Sequence, residues 1–218
     1  MVWPANEIPD WAQAVAKTLL RALKERDPYT YGHCRRVARN AKLLAEAAGL
    51  NEFEQSVVEY ASLFHDLGKI GVPDTVLLKP GRLTEDEEAV MRLHPVKSAE
   101  IMNSLIHIPF FRATLPGIRH HHERIDGTGY PDGLKGTEIP FVSRILLVAD
   151  TFDAMTTTRP YRKGLAHEIA YKELERYSNL QFDAALVEMF VKAHPGWPVL
   201  SEEETGELFV SVPLKKAA

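Results

Sequence analysis

The stretch Val57-Val58-Glu59-Tyr60-Ala61-Ser62-Leu63-Phe64-His65-Asp66-Leu67-Gly68-Lys69 begins as a helix and ends as something else. Val57, Val58, Ala61, Leu63 and Phe64 recur at helical spacing, and Gly68 lets the chain turn away. Working outward, Ile8, Trp11, Val15, Leu19 and Leu23 mark an amphipathic helix that stops near Asp27-Pro28. Val37, Leu43, Leu44 and Ala48 mark the next, which ends at Gly49. Downstream, Thr84 with Glu87 forms a capping box for a helix through Met91, and Pro95 opens another through Ile101. A helix ending near His122 gives way to a loop, because the four glycines and one proline from Asp126 to Gly136 exclude a helix interior. Pro140 then starts a strongly apolar helix through Phe152, and further helices fit Ala166 to Tyr177 and Asp183 to Ala193. Period-2 alternation occurs only at Leu208-Phe209-Val210-Ser211-Val212, in a polar tail. The fold predicted is all-α, a helical bundle with an ordered glycine-rich loop.

With 218 residues, 45% of them hydrophobic, the chain can bury a sizeable core in one domain. The expected division is an N-terminal helix at 1–26, a catalytic domain at 27–194 and a tail at 195–218. A net charge of −4 gives no overall attraction to nucleic acid or anionic lipid, so a polyanion must be met by local basic groups or by metal. DNA and membranes are therefore not expected partners. No apolar run reaches the roughly 18 residues of a membrane span, and Met1 to Asp10 lacks a basic segment followed by an apolar one. The expected location is the cytoplasm. One cysteine, Cys34, cannot form an internal disulfide or a thiolate metal site, which leaves histidine as the ligand to follow.

His65 and Asp66 sit where a helix ends, the place at which two adjacent side chains can reach one ion. An imidazole offers one neutral lone pair, whereas a carboxylate has two oxygens and can bridge two cations. A histidine packed among apolar residues beside a hydrogen-bonded aspartate is the alternative for this doublet. His94 precedes Pro95 at a helix start, His121-His122 precede the glycine loop, and Asp150 interrupts the apolar run Ile145-Leu146-Leu147-Val148-Ala149. A charged aspartate in such a run costs several kcal/mol unless it is paired or bound to metal. An Asp–Arg ion pair would also satisfy it. Taken together, four histidines and two aspartates point to a metal centre and to phosphate-ester hydrolysis.

The run His121-His122-Glu123-Arg124-Ile125-Asp126-Gly127-Thr128-Gly129-Tyr130-Pro131 matches the HHExxDGxGYP signature of the HD-GYP family, and His65-Asp66 with Gly68-Lys69 matches its HDxGK element. The resemblance extends from about Asp27 through Phe190, including His94-Pro95 and Ala149-Asp150 to Arg162. It implies an HD-type helical phosphodiesterase that opens cyclic di-GMP to the linear dinucleotide, GMP or both. By the same resemblance Asp66 bridges two divalent ions, with His65, Asp150 and His33 on one and His94, His121 and His122 on the other. Some family members hold a third ion through a glutamate one turn before the first histidine. Here that position is Tyr29, a phenol with an ordinary pKa near 10, so two ions are expected. Ser98 and Asn179 stand where the family often has glycine, departures expected to leave the chemistry untouched.

Two cations in such a site share a water, lower its pKa and clamp the scissile phosphate. Lys69 is the expected neutraliser of phosphoryl charge, and Arg159 and Arg162 are expected to bind phosphate as planar forks. Asp153, one turn beyond Asp150, is expected to orient a ligand or Lys69 from behind. The donor set suits iron or manganese, with zinc or nickel as alternatives. Gly127 and Gly129 could bring Tyr130 back over the site to meet a guanine or a phosphate; equally, the loop could dock diguanylate cyclase (GGDEF) partners. His107, His120, His167 and His194 are expected at the surface, and Cys34 is assigned no role. Competing readings are a phosphodiesterase for another cyclic dinucleotide such as cyclic GMP-AMP, and a catalytically weak module that signals by binding.

Overall fold

A computed structural model describes residues 8–158 and 163–198, and among these it contains helices and no strand. Helix α1 (Asp10–Arg26) leads into α2 (Pro28–Ala47), whose first turn is capped by Asp27 accepting from the Tyr29 and Thr30 amides. Helix α3 (Glu52–Phe64) opens on a reciprocal cap between Asn51 and Glu54 and ends one residue before the His-Asp doublet. A tight turn at Leu67–Gly71 and the short α4 (Asp74–Leu77) follow. The Thr84 and Glu87 box does begin α5 (Glu85–Met91), and Pro95 lies in the first turn of α6 (His94–Asn103). Helix α7 (Pro109–His120) precedes the glycine loop, and α8 (Phe141–Thr156) starts after Pro140. Helices α9 (His167–Arg176) and α10 (Ala184–Ala193) complete the bundle, the last capped by Asp183 as expected. The Leu208–Val212 alternation lies outside the described residues, and no described helix is long and apolar enough to cross a membrane.

Helices α2, α3, α7 and α8 pack on one another around a core that includes Tyr31, Phe64, Leu67, Phe110, Phe111 and Ile118, all fully buried. Tyr60 meets Phe110 edge-on at 5.0 Å, the preferred arrangement of two aromatic quadrupoles. The apolar core lies directly beneath the ends of α3 and α7, so those ends are fixed in place by packing.

Ile8 just ahead of helix α1 and Leu23 within it are buried as the expected stripe has them, and Leu19 packs on the core, but the middle of the helix turns differently. Ala12, Ala16, Leu20 and Leu23 are buried, whereas Trp11 and Val15 are 47% and 40% exposed. Small alanines let α1 lie close against α2, and Trp11 instead stacks flat on His107 at 5.7 Å. A stripe read from large side chains misses a contact made by small ones.

Candidate metal centre

Three of the histidines stand at helix junctions for one shared reason. The last carbonyls of a helix have no partner within it. His65 follows the end of α3 and uses Nδ1 to donate to the Ser62 carbonyl at 2.6 Å. His121 follows α7 and donates to the Ile118 carbonyl at 2.7 Å, and His94, just past α5, donates to Met91 at 2.7 Å. Because a carbonyl can only accept, Nδ1 carries the proton in all three rings and Nε2 presents a lone pair. His33 on α2 has the same arrangement with a carboxylate, its Nδ1 lying 2.7 Å from Asp153 on α8.

These lone pairs converge in two groups, one of His33, His65 and Asp66 and one of His94, His121 and His122, with the donor atoms of each group within 4.8 Å of one another. Asp66 faces both groups. Its Oδ1 is 3.2 Å from His94 Nε2, and its Oδ2 is 3.5 Å from His65 Nε2 and 3.8 Å from His33 Nε2. Asp150 adds an oxygen 3.0 Å from His33 Nε2 and 4.0 Å from His65 Nε2. The sequence-predicted ligands are thus brought together.

The electrostatics ask for cations. Burial, reinforced by neighbouring histidines, holds His121 well below the usual imidazole range and His122 at about 3, so both rings are neutral. Burial also lowers His65. For Asp66, burial favours the protonated form, but Lys69, His65 and His94 outweigh it and keep the carboxylate ionised. Burial would lower His33 too, but hydrogen bonds to Asp150 and Asp153 raise it to about 9, so without a metal a proton sits on Nε2 between the carboxylates. His94 and His121 point Nε2 at Nε2 across 3.2 Å with both Nδ1 protons already committed, which sets lone pair against lone pair. Buried His65 Nε2 and Asp66 Oδ1 have no hydrogen-bond partner. Such orphaned buried atoms are costly unless something positive lies between them, and an imidazole and carboxylate donor set of this kind fits divalent metal ions.

The surroundings brace the doublet. The Ser98 hydroxyl accepts from the Gly68 amide at 2.7 Å and donates to the His65 carbonyl at 2.6 Å, so Ser98, where the family often has glycine, clamps the ligand turn. Gly68 is required by close approach rather than by the sign of its φ, since a Cβ there would lie 2.2 Å from the His94 carbonyl oxygen. Lys69 reaches Asp66 Oδ2 at 2.6 Å. Asp153 supports His33, not Lys69, and is itself held by Arg36 at 2.6 and 3.0 Å. Sequence reading missed Arg36, although its position one turn after His33 on the same helix face was the available signal. Carboxylates behind metal-bound histidines typically account for 10–100-fold in affinity. Asp153→Asn is accordingly expected to weaken metal binding by about that factor, measured by competition with a chromophoric chelator, with the helical circular dichroism unchanged. Unaltered metal affinity would remove Asp153 from this role.

Residues 17–186 match the family model described as HD domain. The chain belongs to the HD domain family. It is 40% identical over 187 residues to the "Cyclic di-GMP phosphodiesterase response regulator RpfG" of Xanthomonas campestris pv. campestris (strain 8004), an alignment covering 86% of this chain and 49% of that protein. It is 33% identical over 186 residues to the "3'3'-cGAMP-specific phosphodiesterase 2" of Vibrio cholerae serotype O1, covering 85% and 35%. Among solved structures, Bd1817, a HDG"Y"P protein from Bdellovibrio bacteriovorus, superposes with a TM-score of 0.63 at 17% identity, covering 86% of this chain and 63% of that one. The HD-GYP resemblance and the all-α fold therefore stand. The chain spans about half the length of the first curated relatives it matches.

In this HD domain the glycine loop is organised by Glu123. Its buried carboxylate accepts from the amides of Asp132, Gly133 and Leu134 at 2.7 to 3.1 Å, an anion nest built from backbone. Asp126 closes the opposite turn on Arg124 and Thr128. Gly129 passes so near the Arg124 amide and the His122 carbonyl that a Cβ would lie 2.5 Å from each. This folding brings Tyr130 back to stack on His122 with ring centroids 4.8 Å apart, under the Arg92 guanidinium. Arg159 and Arg162 lie outside the described residues. Of the histidines expected at the surface, His107 and His167 are exposed. His120 instead binds Asp132 at 2.9 Å, and His194 is packed among Phe152, Phe190 and Trp197 with Nδ1 2.8 Å from the Tyr171 hydroxyl. Aromatic partners from three different segments are not legible as a pattern around one residue.

Proposed function

We propose that this chain is the hydrolytic domain of a phosphodiesterase that opens cyclic di-GMP to pGpG, GMP or both. The observation that carries the reading is the single carboxylate, Asp66, set between two histidine groups, with buried His65 Nε2 and Asp66 Oδ1 left without a hydrogen-bond partner. His33, His65 and Asp150 hold one divalent ion, His94, His121 and His122 hold the other, and Asp66 serves both. Two such ions supply an activated water and charge for the phosphoryl oxygens. Iron or manganese suits the donors best. Tyr29, at the position of a third-ion glutamate, limits the centre to two.

The protein's own groups do the positioning. Asp153 and the three backbone carbonyls fix the imidazole orientations, so the rings need not turn when metal binds, while His33, raised to about 9, gives up its Nε2 proton. Lys69, anchored on Asp66, places a cation beside the phosphate without entering the ligand set. Tyr130 offers a ring face or a hydroxyl to the substrate from above His122, and Arg159 and Arg162 add the phosphate forks. Exposed Thr128, Asp132 and Lys135 on the loop's outer edge form the surface on which a diguanylate cyclase would dock. The reaction is placed in the cytoplasm, in keeping with a lone cysteine that is buried.

A second substrate, cyclic GMP-AMP, is favoured by three Vibrio cholerae relatives named as 3'3'-cGAMP-specific phosphodiesterases, at 33 to 34% identity. Protein purified without oxygen and loaded with manganous or ferrous ion should convert cyclic di-GMP to linear product on nucleotide chromatography, faster than cyclic GMP-AMP. Elemental analysis should give two metals per chain. Metal-replete protein that leaves cyclic di-GMP intact would overturn the reading, and a reproducible three metals would overturn the assignment of Tyr29.

A further inference from the structure

Asp153 has a second neighbourhood. Besides holding His33, it lines a cavity of about 250 Å³ that none of the proposed metal ligands touches, walled by Arg36 and Arg39 of α2, Phe152 of α8, and His194 and Trp197 after α10. Arg36 and Arg39 lie three residues apart and so share one face of α2. Arg36 spends two of its nitrogens on Asp153 and neutralises it. Arg39 has no ion pair among the described residues, and its buried Nε has no hydrogen-bond partner. A guanidinium so placed offers a planar fork to a phosphate or carboxylate. The same cavity is also lined by the aromatic rings of Phe152, His194 and Trp197. His194 is fixed by the Tyr171 hydroxyl and held neutral, burial lowering it to about 4, so that side contributes ring surface rather than charge. Trp197 packs edge-on against both Phe190 and His194.

A cation fork and aromatic rings lining one cavity suit a flat ring that bears a phosphate. The volume lies near the roughly 300 Å³ at which pockets for drug-sized ligands begin, which favours a single nucleotide over a cyclic dinucleotide. We propose that this cavity is a binding site for a nucleoside monophosphate, with the phosphate on Arg39 and Arg36 and the base against Trp197 and His194. The site is separate from the metal centre and does not depend on the phosphodiesterase reading; the two share Asp153.

The probe is GMP, titrated into metal-stripped protein and followed by calorimetry and tryptophan fluorescence. One saturable site is expected, and inorganic phosphate should displace GMP only at much higher concentration. Arg39→Leu should weaken binding at least about tenfold, as loss of a charge-assisted hydrogen bond requires, and Arg39→Lys, which keeps the charge without the fork, should fall between. Trp197→Phe should remove the fluorescence change, and His121→Ala should leave binding intact. No saturable binding, equal affinity in Arg39→Leu, phosphate competing as tightly as GMP, or loss of binding in His121→Ala would each overturn the proposal. Metal-loaded Arg39→Leu should still turn over cyclic dinucleotide, so failure of this site and failure of the phosphodiesterase reading give different results.

Discussion

An Asp66→Ala chain is expected to lose both metal ions together and at least about a thousandfold in turnover, roughly 4 kcal/mol of activation free energy. The geometry makes the loss double. One oxygen of Asp66 lies 3.2 Å from His94 Nε2 and the other 3.5 Å from His65 Nε2, so this one carboxylate faces both histidine groups. Asp150 comes within 4.0 Å of His33 and His65 and acts on His122 only through its charge. Elemental analysis after loading with manganese is the direct measurement, with His122→Ala as comparison, since that change removes a ligand from one group and should cost one ion first. Deleting Asp66 also strips Lys69 of a partner at 2.6 Å, and an unpaired cation mostly withdrawn from water costs about 3 kcal/mol. Thermal denaturation must therefore accompany the metal analysis. Asp66→Asn, which keeps the shape and a lone pair on one oxygen, should fold better and still fail to hold two ions. Two metals per chain in either variant would remove Asp66 from the bridging position.

Chemistry was more legible in the sequence than geometry, for a reason visible in the histidines. A ligand announces itself by residue type and by an implausible setting, as Asp150 does inside Ile145-Leu146-Leu147-Val148-Ala149, and those assignments need no coordinates. What orients a ligand is often a backbone carbonyl, and Ser62, Met91 and Ile118 carry no signal of their identity because any residue could supply the oxygen. The rule behind them is readable only after the helix ends are known: a histidine just past a helix terminus meets a carbonyl with no partner inside the helix. Arg36 was missed for the complementary reason, since its partner Asp153 is 117 residues away and the pairing depends on how α2 crosses α8. The bundle itself followed from helical periodicity, capping pairs and the glycine loop. The inward face of α1 and its lead-in followed only at Ile8, Leu19 and Leu23, because Ala12 and Ala16 contribute close approach rather than bulk, and a pattern weighted by large apolar residues selects Trp11 and Val15. Ser98 shows the same limit from the other side: as a departure from a family habit it looked neutral, yet its hydroxyl joins Gly68 to the His65 carbonyl.

The second large effect belongs to a residue that binds nothing. Gly68→Ala is expected to destabilise the chain by about 3 kcal/mol and to lower its melting temperature by about 6–12 °C, the range that size of change gives in a domain of this length. The turn after His65-Asp66 passes so close to α6 that an added Cβ would lie 2.2 Å from the His94 carbonyl oxygen, 2.6 Å from the Ser98 amide and 2.8 Å from Lys97 Cβ. Two of those three contacts are backbone, so no side chain can swing away to relieve them. Relief requires α6 to move off the turn, and α6 carries His94. The clash therefore separates the two histidine groups that Asp66 joins, and it breaks the Ser98 clamp in the same displacement. Metal binding should fall more steeply than stability, since ligand positions tolerate smaller errors than helix packing does. Gly196→Ala is the control, because a Cβ there meets nothing within 4 Å and should leave both readouts unchanged. A Gly68→Ala protein that melts like the parent and still binds two metals would show that the turn and α6 are free to part without disturbing the centre.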